Sequence, residues 1–158
     1  MEKVTIDSLI AEHAFFKGLD EADLTLIAGC GANARFEAGQ HLGREGDPAD
    51  RFYAIRQGKV AIDVFVPNRG IVTVQTVSEG ELVGWSWLFP PYRWRFDARA
   101  VELVRATAFD GACLRQKCEQ DPRMGYELMK RLVRVVSTRL EATRLQLLDV
   151  YAPAPGLR

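Results

Sequence analysis

The chain has 158 residues, 47% of them hydrophobic and 27% charged, which suffices for one domain with its own core. Lys plus Arg and Asp plus Glu number 21 each, so the net charge is zero. That balance speaks against a general binder of nucleic acid or membrane surfaces, and no apolar run reaches the length of a membrane span.

The N-terminus, MEKVTIDSLI, lacks the basic-then-apolar order of a secretory signal, so a cytoplasmic location is expected. Cys30, Cys113 and Cys118 make an odd count, which predicts free thiols packed as small apolar groups. An iron–sulfur cluster needs about four thiolates. His13 and His41 stand outside any ligand-spaced cluster, so neither a metal nor a cofactor is expected.

Residues 5–28 predict two short helices. Leu9, Ile10, Ala14 and Phe15 recur on one face of the first. Asp20 suits the cap of the second, with Asp23 three residues on as an imperfect capping box, and Leu24, Ile27 and Ala28 form its buried stripe. From Asn33 the pattern changes. Glycines at 39, 46, 58, 70, 80 and 84 separate short apolar runs, the turn spacing of an all-β barrel or jelly roll. Strands are expected over Arg51–Gln57, Lys59–Val66, Ile71–Val77 and Leu103–Phe109, with a hairpin turn at Pro67–Gly70. Trp94, Phe96, Ala98 and Ala100 alternate with Arg93, Arg95, Asp97 and Arg99, which predicts a strand with one apolar and one charged face.

From Gly111 the period becomes helical. A short helix to Gln120 precedes Asp121-Pro122, a capping residue and a first-turn proline that start a helix running to about Val150. Within it Met129, Leu132, Val136, Leu140, Thr143, Leu147 and Val150 are spaced 3, 4, 4, 3, 4, 3, a near-heptad seam. A helix of about 28 residues is roughly 42 Å long, more than a small jelly roll covers. The seam therefore predicts a homodimer. The expected organisation is one domain over 1–150, with helices in 5–28, a jelly roll over 33–109 and helices over 111–150, then a flexible tail at 151–158.

Phe36-x-x-Gly39-x-x-Leu42-x-x-Glu45-Gly46-Asp47 and Phe52-Tyr53-x-Ile55-x-x-Gly58-x-Val60 together resemble the cyclic-nucleotide-binding domain family. So do the helical lead-in Phe16-x-Gly18-Leu19 and the long helix after Asp121-Pro122. The resemblance covers residues 10–150 and implies a jelly roll with a nucleotide-sized pocket and a C-terminal dimerisation helix. In that family a cassette begins Gly-Glu-Leu, its Glu holding the ribose 2′-hydroxyl, and ends with an Arg on the cyclic phosphate. The matching stretch here is Gly84-Trp85-Ser86-Trp87-Leu88-Phe89, which puts Trp85 at the Glu position. Gly80-Glu81-Leu82 has the letters but lies four residues early. Counting back from Arg99-Ala100 puts Trp94 at the Arg position, between Arg93 and Arg95, with the register between Phe89 and Asp97 open by one residue. An indole donates one hydrogen bond and accepts none, so it replaces neither charge.

Three readings follow. The tryptophans fill the pocket as core, and the domain acts through a protein partner. Or Trp85, Trp87 and Trp94, with Gly84, Ser86 and Leu88, hold a planar ligand whose anionic group meets Arg93 or Arg95. Or the domain is an ordinary cAMP or cGMP sensor. All three are non-catalytic regulatory modules. The alternative of another class is a structural accessory subunit of a larger enzyme complex, such as an NAD-reducing hydrogenase. No nucleophile elbow, phosphate loop or dinucleotide fingerprint is present, and Asp47, Asp63, Asp97 and Glu102 have no histidine partner, so no enzyme is expected. DNA-binding relatives carry a helix-turn-helix after the long helix, whereas this chain continues only eight residues past Val150. Arg123, Lys130, Arg131, Arg134, Arg139 and Arg144 are interleaved with Glu127, Glu141 and Asp149, the mark of a solvated face, so DNA binding is not expected.

Overall fold

The computed structural model describes residues 4–152. Two helices, α1 (Ile6–Glu12) and α2 (Glu21–Ala28), lead into eight strands. These are β1 (Gly31–Phe36), β2 (His41–Gly43), β3 (Arg51–Gln57), β4 (Val60–Val66), β5 (Gly70–Val77), β6 (Leu82–Val83), β7 (Asp97–Ala100) and β8 (Val104–Asp110). Helices α3 (Gly111–Gln120) and α4 (Pro122–Tyr151) close the chain.

Each helix begins where a side chain satisfies its free amides. Thr5 and Ser8 exchange bonds at the start of α1. Asp20 accepts from the Asp23 N–H at 2.9 Å, Asp110 from Cys113 at 2.8 Å and Asp121 from Met124 at 3.1 Å. The β4–β5 turn places Asn68 at φ 68° and Gly70 at φ 82°, the left-handed region that Asn and Gly tolerate best.

The strands form two antiparallel sheets, ordered β1-β8-β3-β6 and β2-β7-β4-β5, which face one another as a jelly roll. Strand β3 is buried on both faces. Phe52 and Ala54 face the helices, where they join Phe16, Trp87, Phe109, Leu114, Met124 and Leu128. Tyr53 and Ile55 face the space between the sheets, with Val60, Ile62, Trp94, Ala98 and Val104. The Arg123 guanidinium lies 2.6 Å from the buried carboxylate of Asp23 and fastens α4 to α2.

Four expectations change. The strand expected over 93–100 begins only at Asp97. Residues 93–96 form an irregular approach, because Trp94 turns into the interior and its backbone bonds to the 46–47 loop instead of a strand. Cys30 and Cys113 are joined in a disulfide, and Cys118 alone is a free thiol. The pair is 83 residues apart in sequence, yet the stacking of α2 on α3 brings the Cα atoms to 5.7 Å. This removes the thiol count as a ground for a reducing compartment. Leu132, expected in the dimer seam, is 4% exposed and packs into its own domain's core. Finally, the helix runs to Tyr151, past the expected tail boundary, and residues 153–158 lie outside the described residues.

Beyond Arg139 the helix leaves the domain. Every residue from Leu140 to Ala152 is exposed, a projection of about 20 Å. Val133, Val136, Leu140, Leu147 and Val150 bare large apolar side chains along α4, the first two before the projection begins, and Leu145 and Leu148 do so on another face. No helix among the described residues is long and apolar enough to cross a membrane.

Candidate functional site

The β6–β7 connection, residues 84–96, carries all three tryptophans, and it sends them to three different places. Gly84 leaves β6 at φ 94°. Trp87 is fully buried on the helical side, stacked on Phe52 with centroids 4.7 Å apart. It rests against the start of α3, where a Cβ on Gly111 would come within 2.7 Å of it. Its Nε1 has no hydrogen-bond partner. Arg115 donates to the Trp87 carbonyl and lies 4.1 Å over the ring of Tyr92.

Trp94 goes the other way, into the space between the sheets. It is 5% exposed, with Tyr53 at 6.5 Å and Phe96 edge-on at 5.7 Å. Its indole also covers Gly43, and its far edge would sit 3.2 Å from a Cβ at Gly84. The backbone fixes it there. The Trp94 N–H donates to the Asp47 carbonyl at 2.9 Å, and the Gly46 N–H donates to the Trp94 carbonyl at 2.8 Å.

Trp85 is half-buried and faces α4. The guanidinium of Arg139 lies 4.9 Å from its ring and donates to the Leu82 carbonyl. Ser86 is buried, and Leu88 packs with the helical core. Arg93 and Arg95 are exposed, and Arg93 donates to the Gly46 carbonyl at 2.9 Å. No common cavity therefore joins the three indoles with these arginines. Glu81 turns back on its own loop, accepting from the Ser78 N–H at 2.6 Å.

A family model for the cyclic nucleotide-binding domain matches residues 34–121, the span from the middle of β1 through α3 that includes this connection. The chain belongs to that family. It is 26% identical over 152 residues to a CRP-like cAMP-activated global transcriptional regulator of Mycobacterium tuberculosis, covering 96% of the chain and 66% of the relative. The chain thus spans about two thirds of the length of that curated relative. Among solved structures it resembles a cAMP-binding acyltransferase from Mycobacterium smegmatis, with 26% identity and a TM-score of 0.70, over 87% of this chain and 41% of that one. A cyclic nucleotide-binding domain from Methylobacillus flagellatus KT shares the fold with a TM-score of 0.79 at 18% identity, over 96% of this chain and 85% of that one.

The sequence reading set Trp85 and Trp94 at the positions where the family carries a carboxylate and a guanidinium, and the structure places these two indoles apart, one facing α4 and one between the sheets. Of the nearby charged groups, Asp63 and Arg99 are committed to each other. Asp63, buried between the Arg99 Nε at 2.9 Å and the Thr73 hydroxyl at 2.6 Å, feels burial pushing its pKa up, but the two donors outweigh that and hold it below the usual carboxylate value. It is a structural ion pair of the β4–β7 sheet. Among the described residues no group of three or more His, Cys, Asp or Glu is placed to hold a metal ion.

Two residues important to this geometry escaped the sequence reading. Gly43 sits inside β2 without a positive φ, and a strand glycine of that kind marks a close approach by another group. Arg139 read only as one of several basic residues on a long helix.

Proposed function

We propose that this domain is a non-catalytic regulatory module that does not read cyclic nucleotides through the usual pair of charges and passes its signal through α4 to a second copy of itself. The observation that carries this reading is the Trp94 indole. It occupies the interior between the sheets, is packed on Tyr53, Phe96 and Gly43, and offers no charge to a cyclic phosphate. Trp85, at the position of the ribose-binding carboxylate, is engaged by Arg139 of α4 instead. Binding of DNA by this domain is not part of the proposal, because the net charge is zero and the basic residues of α4 alternate with acids, Lys130 pairing with Glu127 at 2.7 Å.

Calorimetric titration with cAMP and with cGMP tests this. No binding heat is expected at ligand concentrations well above those that saturate ordinary sensors. Micromolar affinity for either nucleotide would overturn the reading and return the domain to the ordinary sensors of its family.

A second reading has one observation in its favour. Leu145 and Leu148, 57% and 63% exposed, lie off the Leu140–Leu147 stripe, so a two-helix pairing along that stripe leaves them bare. A larger protein partner, with this domain as its accessory subunit, would cover them. Purifying the native protein and identifying what co-elutes in fixed stoichiometry separates this reading from the first.

A further inference from the structure

We propose that the groove where α4 crosses the β5–β6 turn is a binding site for a small phosphate ester, separate from the cassette and from the space between the sheets. The groove has a volume of about 260 Å³ and is lined by Arg131, Arg134, Arg139 and Glu81, with Phe15 and Val135 as apolar wall. Three guanidiniums against one carboxylate leave a local charge of about +2, which matches a phosphate monoester near pH 7.

None of the three arginines forms an ion pair with a carboxylate among the described residues. Arg131 donates to the carbonyls of Phe15 at 3.0 Å and Lys17 at 2.7 Å. Arg139 is half-buried with only the Leu82 carbonyl and the Trp85 ring as partners. Burial pushes its pKa below the usual arginine value, and Glu81 opposes this only in part. A half-buried guanidinium with no carboxylate in direct contact is costly, and an anion in the groove would relieve that cost. Arg134 is exposed at the rim, where it is available to a ligand.

The size sets the class. At about 260 Å³ the groove falls below the ~300–1,000 Å³ of drug-sized sites, which suits a small ester. The apolar wall suits a short carbon group. Bound there, the ester would join the α1–α2 segment held by Arg131 to the Trp85–Arg139 contact, and so brace α4 against the jelly roll. This inference does not rest on the cassette being silent toward cyclic nucleotides.

The test titrates the full chain with phenyl phosphate, inorganic phosphate and benzyl alcohol, reading calorimetric heat and amide NMR shifts. Phenyl phosphate is expected to bind most tightly and to move the amides of Ala14, Gly80 and Thr138. Inorganic phosphate should bind more weakly at the same amides, and benzyl alcohol not at all. Arg134→Gln, at an exposed side chain, should fold normally and lower phenyl phosphate affinity about tenfold. Absence of shifts at those amides, or an affinity unchanged in Arg134→Gln, would overturn the site. Equal binding of benzyl alcohol, or of inorganic phosphate, would overturn the ester as its ligand. Sedimentation with phosphatidic acid vesicles should leave the protein in solution. Co-sedimentation lost in Arg134→Gln would overturn the soluble ester in favour of a lipid headgroup.

Discussion

The indole of Trp94 lies against the backbone of Gly43 with no room between them for a methyl group. The glycine and the tryptophan form one packing unit that joins β2 to the irregular approach to β7. Gly43→Ala should therefore destabilise the domain by about 1–3 kcal/mol through overpacking. Adding Trp94→Leu should recover part of that loss, because the smaller side chain vacates the space of the new methyl group. Urea unfolding of the two single variants and the double variant measures the coupling. Strictly additive losses would mean that the contact is slack.

Self-association should run through the exposed stripe of α4. Leu140 and Leu147 are 49% and 52% exposed where α4 has left its own domain, and Val136, 38% exposed, precedes them on the same stripe. A two-fold pair lets identical stripes cover one another. Leu140→Asp would set two like charges into that pairing, each losing water on association. Light scattering should show a wild-type dimer and a monomeric Leu140→Asp variant with its jelly roll intact. A wild-type monomer, or a variant that stays dimeric, would remove α4 as the interface.

The Cys30–Cys113 bond ties the end of α2 to the first turn of α3 across 83 residues. Closing a loop of that length stabilises by roughly 4–5 kcal/mol in the chain-entropy account, an upper value for a real protein. Reduction, or Cys30→Ser, should lower the unfolding midpoint accordingly. Thiol titration of the denatured, unreduced protein should find only Cys118 reactive. Three reactive thiols would show the pair to be open in the isolated protein.

Acid should loosen the N-terminal helices. Buried His13 places its Nε2 2.9 Å from the Ile55 carbonyl, and its Nδ1 accepts from the Phe15 N–H at 3.2 Å, so the fold keeps the neutral ring. Burial lowers its pKa from the ordinary 6.5 and Arg56 adds to this, against the Ile55 bond and Glu79. The unfolded chain thus takes up the proton first as pH falls. The His13 contribution to stability is complete above about pH 6.5 and is lost progressively below it. Denaturation midpoints measured from pH 7.5 to 5 should fall in the wild type and flatten in His13→Gln. Asp63 remains in both proteins, so its own loss at lower pH does not enter the comparison. Parallel slopes would exclude His13 as the source.

The amino-acid sequence by itself determined whatever depends on neighbours a few residues away. Asp20 and Asp121 cap the helices they precede, Pro67–Gly70 turns the β4–β5 hairpin, and β3 is buried on both faces because Phe52 and Ala54 alternate with Tyr53 and Ile55. The spaced glycines and apolar positions likewise led to the family, whose model matches residues 34–121. The tertiary structure alone decided which way each indole points. Trp87 follows β6 onto the helical layer, Trp94 is drawn between the sheets by backbone bonds to residues 46–47 and by the missing side chain of Gly43, and Trp85 meets Arg139. It also decided that Cys30 meets Cys113, and that Leu132 belongs to the core while Val133 on the same turn is bare. These outcomes depend on segments tens of residues apart arriving at one point. Local periodicity carries no record of such contacts, because the space each side chain fills is made by the rest of the chain.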